Sequence, residues 1–220
     1  MKRDEQVVVL VSHADDESVG CGGYIPLLKR KGFEVIVVIA SNCRFDRKGK
    51  AINNKDSSFE ACRELGVDKV FFLDLNDQEF ETYPTQEIIR RLTALDLKPG
   101  LIITHSAGDL NRDHRIIHEI AMLFGRSIYR QICILGCEIL NGNEYFGGAF
   151  HPNFYVDIGE SIEIKKRAFS CYQNEARDFP NPYSPNGLEI KARQRGLEVG
   201  FQYAEAYQVL RWFPGTGDGF

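Results

Sequence analysis

The sequence predicts an α/β fold in which helices flank a mostly parallel sheet. Three observations carry the prediction. Short runs rich in Val, Ile and Leu alternate with stretches of helical periodicity through the first half of the chain, the order that builds a parallel sheet with right-handed crossovers. The runs are apolar throughout, as strands covered on both faces must be. Segments rich in His and Asp follow directly on the first and fourth runs, where an open parallel sheet places its ligands. Together these describe a Rossmann-like sheet.

Taken in order, residues 7–11, 35–40, 70–73 and 101–104 are the expected strands. Between them, residues 24–31, 55–65 and 85–95 carry apolar residues at helical spacing, with a Gly, Asp or Pro near each end. A further helix is expected over 113–124. The pattern then changes, and 132–140, 145–150 and 154–158 read as strands, with Asn141-Gly142-Asn143 as a hairpin turn. From residue 161 the chain is helical again, broken by Phe179-Pro180-Asn181-Pro182-Tyr183-Ser184-Pro185 before a last helix near 188–199. A C-terminal β-hairpin and a helical extension thus complete the fold. No repeat or linker divides the chain, so residues 1–220 are expected to form one domain.

With 220 residues and 43% hydrophobic composition the chain can bury a full core without disulfides. Its 27 basic and 31 acidic side chains are mixed and leave a net charge of -4, which gives no basic footprint for nucleic acid. No stretch nears the roughly 20 apolar residues that cross a bilayer, and the N-terminus does not read as a secretory signal. The expectation is a cytoplasmic protein with a small-molecule partner, self-association being left open. Six cysteines without a Cys-x-x-Cys pair read as reduced, mostly buried thiols, and Cys133 and Cys137 should face the same side of one strand.

After the first strand stands Ser12-His13-Ala14-Asp15-Asp16-Glu17-Ser18. Three successive carboxylates at a cleft repel one another unless a cation offsets them. The spacing His13-x-x-Asp16 lets an imidazole nitrogen and a carboxylate oxygen converge on one ion, with Asp15 beside it; capping of a helix is the structural alternative. Gly20, Gly22 and Gly23 lack dinucleotide-binding spacing and suit close packing of a helix on the sheet. After the fourth strand, His114 at a helix start offers a third ligand, leaving an open position for water, and His118 one turn on reads as a half-buried helix residue. Asp15 is then the natural base for a water activated at that position. Asp113 either accepts the other N–H of its neighbour, fixing a tautomer, or caps the helix.

At these two motifs the chain resembles the PIG-L/LmbE-like zinc-dependent N-deacetylase family, whose hallmark is His-Pro-Asp-Asp-Glu after the first strand and Asp-His opening a later helix. His13-Ala14-Asp15-Asp16-Glu17 matches with Ala in place of Pro, and Gly108-Asp109-Leu110-Asn111-Arg112-Asp113-His114-Arg115 is similar to the form found in members from polysaccharide and amino-sugar gene clusters. The resemblance implies one zinc ion per chain on His13, Asp16 and His114, Asp15 as general base, and Asp113 as a tuning residue. Several relatives place a histidine three residues before the last ligand. Here that position is Asn111, grouped with the substrate-binding residues, and His105 is the substitute candidate for the general acid, a structural role being its alternative. Pro152 to Ile158, Phe179 to Pro182 and Tyr203 to Tyr207 also look like this subgroup.

The implied reaction removes an N-acetyl group from a cytoplasmic amino sugar linked to a nucleotide. Arg44 and Arg47, with Lys48, lie in the polar loop after the second strand, where they could pair with its diphosphate or simply be a solvated loop. Removal of a formyl or other short acyl group is the alternative within the class. A magnesium-binding receiver-like module, using Asp74 and Asp77 after the third strand, is the alternative of another class; His13 and His114 argue against it.

Overall fold

The structure is a computed structural model and describes residues 6–126, 131–146 and 150–213. The first half runs β1 (Gln6–Val11), α1 (Asp16–Cys21), α2 (Tyr24–Arg30), β2 (Glu34–Ser41), β3 (Arg44–Arg47), β4 (Lys50–Asn53), α3 (Lys55–Leu65), β5 (Lys69–Leu75), α4 (Thr85–Thr93), β6 (Pro99–His105) and α5 (Arg112–Phe124). The second half adds β7 (Cys133–Cys137), α6 (Gly142–Phe146), β8 (Phe154–Asp157), α7 (Ile162–Ser170), α8 (Pro185–Leu197) and β9 (Ala204–Arg211).

Seven strands form one sheet in the order β5-β2-β1-β6-β7-β9-β8. The strands from β5 to β7 are parallel, as the uniformly apolar runs require, and β9 runs antiparallel between β7 and β8. Alternate residues of β1 feed two cores: Val7, Val9 and Val11 pack with Leu28 and Tyr172 on one face, Val8 and Leu10 with Ile88 and Ile117 on the other. The chain leaves β1 toward β2 on one side and returns to β6 on the other. That reversal opens a crevice at the carboxyl ends of β1 and β6.

The glycines after β1 serve close packing. A Cβ on Gly20 would stand 2.7 Å from the Cys137 sulfur, and one on Gly23 would stand 2.7 Å from Ile158. The Cys133 and Cys137 side chains both enter the first core, and five of the six free cysteines are buried. No helix among the described residues is long and apolar enough to cross a membrane.

Two expectations are corrected. The Asn141-Gly142 step is not a hairpin turn, because Gly142–Phe146 is a short helix and β7 and β8 do not pair with each other. Each pairs instead with β9, a strand that arrives some 60 residues later and fills the edge of β7. The expected strand over 145–150 is therefore absent at 145–146, and 147–149 lie outside the described residues. The second correction concerns the polar loop after β2, which is an antiparallel ribbon, β3–β4. Its turn places Lys48 at φ 56 and Gly49 at φ 77, the paired positive angles of a tight two-residue hairpin.

Candidate active site

The turn between β1 and α1 does two things at once. Asp15 is the residue before the helix, yet its side chain makes no capping bond. Its φ of 116 lies in the left-handed region that favours glycine. The Asp15 N–H is received by Glu17 Oε2 at 3.3 Å, and Glu17 is itself fully buried, accepting from the Ser18 and Tyr172 hydroxyls at 2.6 and 2.8 Å. Asp16 reaches back to accept the His13 N–H at 2.8 Å. The acidic run is therefore spent on the turn and the cleft, and helix capping does not account for it.

From the far side of the crevice, α5 brings His114. Its Nε2 lies 3.2 Å from His13 Nδ1 and 3.5 Å from Asp16 Oδ2, and the third side, His13 Nδ1 to Asp16 Oδ2, is 3.6 Å. Donors bound tetrahedrally to one ion at about 2.0–2.1 Å are separated by about 3.3 Å, so this triangle has the dimensions of a zinc site as folded. Among the described residues these three are the group that meets the geometry of a metal site.

Each imidazole is oriented by a carboxylate on its other nitrogen. His13 Nε2 donates to Asp113 Oδ2 at 2.9 Å and His114 Nδ1 donates to Asp109 Oδ2 at 2.9 Å, so that in the neutral imidazoles a metal would require the lone pairs face the triangle. The sequence left Asp113 between its neighbour His114 and a helix cap; the structure gives it to His13, and Asp109 holds His114. Asp113 is pinned by the Gln78 and Phe80 amides at 2.8 and 3.3 Å. Asn111 caps α5, its side-chain oxygen accepting the Asp113 N–H at 3.0 Å.

His105 ends β6 and is fully buried behind His114, with the rings stacked at 4.0 Å and 8°. Its Nε2 accepts the Ser12 N–H at 2.9 Å, so the ring proton sits on Nδ1, which has no hydrogen-bond partner among the described residues. Burial, followed by the nearby His114, His13 and His118, holds its pKa well below the usual histidine range. His118 stands outside the triangle and donates to the His105 carbonyl at 2.9 Å.

The triangle opens on a cleft of about 390 Å³ whose lining includes Asp15, Asp77, Gln78, Asn111, Arg47, Glu175 and Tyr183. Charge crowding is marked. Burial and then the charges of Asp16, Glu175, Glu17 and Asp77 push the Asp15 carboxyl well above its ordinary range. Burial also raises Asp77. Although burial works against a charged His13, its bond to Asp113 and the charges of Asp16, Asp77 and Asp113 carry its pKa up to about 9. Uncompensated negative charge of this kind is what a divalent ion would offset.

Of the two arginines expected at a substrate, Arg47 borders the cleft, its guanidinium 2.7 Å from Glu175 Oε2. Arg44 lies on the outer surface with Ala51 and Asn53. Pleating decides this, because a strand presents residues separated by an odd number on opposite faces. Of the two aspartates that a receiver-like site would use, Asp77 lines the cleft, whereas Asp74 is largely exposed and faces Lys55 at 3.8 Å. The reading from sequence missed Asp109, Gln78, Glu175 and Tyr183. Asp109 stood inside a quoted motif; the resemblance implied that Phe179 to Pro182 lies around the sugar-binding cleft or at subunit contacts, but nothing in it singled out Glu175 or Tyr183.

Comparison with known proteins agrees. A Bacillus subtilis protein named probable N-acetyl-alpha-D-glucosaminyl L-malate deacetylase 2 is 27% identical over 94% of this chain and 98% of its own length. The diacetylchitobiose deacetylase of Thermococcus kodakarensis is 23% identical over 96% of this chain and 84% of its own. Among solved structures, GalB, the 4-carboxy-2-hydroxymuconate hydratase of Pseudomonas putida KT2440, superposes with a TM-score of 0.77 at 21% identity over 96% and 97% of the two chains. A hydratase on this architecture means that the fold alone does not choose the reaction. The family model described as PIG-L, GlcNAc-PI de-N-acetylase, matches residues 8–124, the stretch that carries the whole donor triangle and its orienting carboxylates, and the chain belongs to that family of de-N-acetylases.

Proposed function

We propose that this protein hydrolyses the N-acetyl amide of a small amino sugar, with one zinc ion held by His13, Asp16 and His114. The observation that carries the reading is the donor triangle of 3.2, 3.5 and 3.6 Å at the floor of a cleft bordered by Asp15. A zinc ion there would supply Lewis-acid polarisation of the amide carbonyl and a water made acidic enough to be deprotonated near neutral pH. Asp15, on the lining of the cleft beside Asp16, is placed to take a proton from the attacking water and pass it to the leaving nitrogen. His105 has no place on the lining of the cleft, so we assign it to steadying His114 by stacking, not to acid catalysis. Asn111 offers its amide N–H groups to the sugar, since its oxygen is committed to the cap of α5.

The amino-sugar substrate is supported by the relatives named above, which act on N-acetylated glucosaminyl compounds by name. A nucleotide on that sugar has less support: of Arg44 and Arg47 only the second borders the cleft, and Glu175 already engages it.

The test is acetate release from N-acetylglucosamine, N,N′-diacetylchitobiose and UDP-N-acetylglucosamine, combined with elemental analysis of the wild type and of His13→Ala and Asp16→Ala. Stoichiometric zinc in the wild type, its loss in both variants and acetate from at least one sugar are expected. Full metal retention in both variants would sink the ligand assignment.

A further inference from the structure

We propose that Glu175 sets the charge preference of this enzyme: by occupying the Arg47 guanidinium it fits the cleft to amino sugars whose aglycone carries no negative charge. The inference rests on the deacetylase reading above and concerns which substrate that site accepts.

Arg47 is the one guanidinium among the described residues lining the cleft, against the carboxylates of Asp15, Asp16, Asp46, Asp77 and Glu175. One arm of the Arg47 fork donates to Glu175 Oε2 at 2.7 Å and the other to the Asn174 carbonyl, while its plane lies 5.0 Å over the Phe45 ring. The second Glu175 oxygen accepts from Asn54 Nδ2 at 2.9 Å, and Asn174 Nδ2 donates to Asn54 Oδ1 at 3.1 Å. This closed network ties the β3–β4 ribbon, the residue before α3 and the segment after α7 into one wall.

A free arginine fork at such a wall would take a phosphate or carboxylate with two parallel hydrogen bonds. Here both arms are already taken, one by the Glu175 carboxylate, with only 14% of its side chain exposed, and the other by the Asn174 carbonyl. An anionic aglycone would have to displace Glu175 and strand it among other carboxylates, with its charge uncompensated. An uncharged aglycone has no such competitor. The ammonium that deacetylation creates is attracted by the same carboxylates, so the electrostatics favour the product amine as well as a neutral substrate.

The experiment compares acetate release from N-acetylglucosamine and N-acetylglucosamine 1-phosphate by the zinc-loaded enzyme. Wild type should favour the neutral sugar in kcat/KM, and added salt should narrow the gap by screening the repulsion. In Glu175→Gln, which keeps the volume and an acceptor for Asn54, the ratio should move toward the phosphate by about tenfold, the worth of one charge-assisted hydrogen bond. Adding Arg47→Ala to that variant should erase the shift. A wild type that prefers the phosphate, or an unmoved ratio in Glu175→Gln, overturns the proposal. Dissociation constants for glucosamine and glucosamine 1-phosphate, measured by calorimetry on the same proteins, read the charge preference without turnover. Absence of acetate from both of these sugars and from N,N′-diacetylchitobiose and UDP-N-acetylglucosamine would refute the deacetylase reading, while the binding ratio would still decide for or against Glu175.

Discussion

Replacing Asp109 by Asn tests whether the site is organised by carboxylate–imidazole pairs. Asp109 is 1% exposed and uses both oxygens: Oδ1 accepts the Asn111 N–H at 2.8 Å and Oδ2 accepts His114 Nδ1–H at 2.9 Å. Asparagine has one oxygen, so one of these two donors must face an amide NH₂. If it is Asn111, a buried N–H is left unpaired, at a cost of about 1–3 kcal/mol. If it is His114, the ring must shift its proton to Nε2 to accept from the amide, which removes the lone pair that faces His13 and Asp16. The metal-free protein should accordingly melt lower by about 2–4 °C for each kcal/mol lost. Zinc affinity should fall by about 10- to 100-fold, the usual effect of losing a partner behind a ligating histidine. Competition against a chromophoric zinc chelator measures the second quantity and thermal unfolding with the chelator in excess the first. Zinc affinity within threefold of wild type, with the variant folded, would refute the claim that Asp109 orients His114.

Three further outcomes are expected. Asp15→Asn should retain zinc and fold while kcat falls by a factor on the order of 10² to 10⁴, as for loss of a general base; wild-type turnover in that variant removes Asp15 from the mechanism. Lys165→Met should be costly, because Lys165 Nζ sits 2.5 Å from the buried Glu205 carboxylate, which also caps α2 through the Gly23 and Tyr24 amides at 2.7 and 2.8 Å. Breaking such a pair costs about 3–5 kcal/mol, and restored stability in Lys165→Met/Glu205→Gln would confirm the stranded charge as the cause. Glu189 is drawn from its ordinary value of 4.5 down to about 2, chiefly by its hydrogen bonds to Lys166 and Arg193. A depressed carboxyl contributes stability above its unfolded pKa and loses it as pH falls through the folded one. Glu189→Gln should therefore lose less melting temperature than wild type between about pH 5 and pH 2, and parallel curves for the two proteins would contradict the assignment.

The sequence by itself determined the parallel sheet, its crossovers and the three donor residues, because all of these are written locally. The run from Val7 to Val11 is apolar on both faces of a strand wherever that strand lands. The spacing of His13 and Asp16 on one turn fixes their convergence, and Asp113-His114 at a helix start places the third donor at the same sheet edge. Only the tertiary structure decided how these pieces were partnered. Asp113 serves His13 rather than its neighbour because the ends of β1 and β6 bring residues 100 apart in sequence to 2.9 Å. The Asn141-Gly142 turn failed for the same reason: β9 outcompetes a local hairpin by covering β7 and β8 together, a choice set by what else the sheet can bury. Arg44 and Arg47 look alike in sequence, and the pleat of a ribbon sends one outward and the other to the cleft, where a glutamate from a distant segment awaits it. A residue type and a short spacing can be read from the chain, but a hydrogen-bond partner is a property of two segments meeting, and that meeting is decided by the whole core.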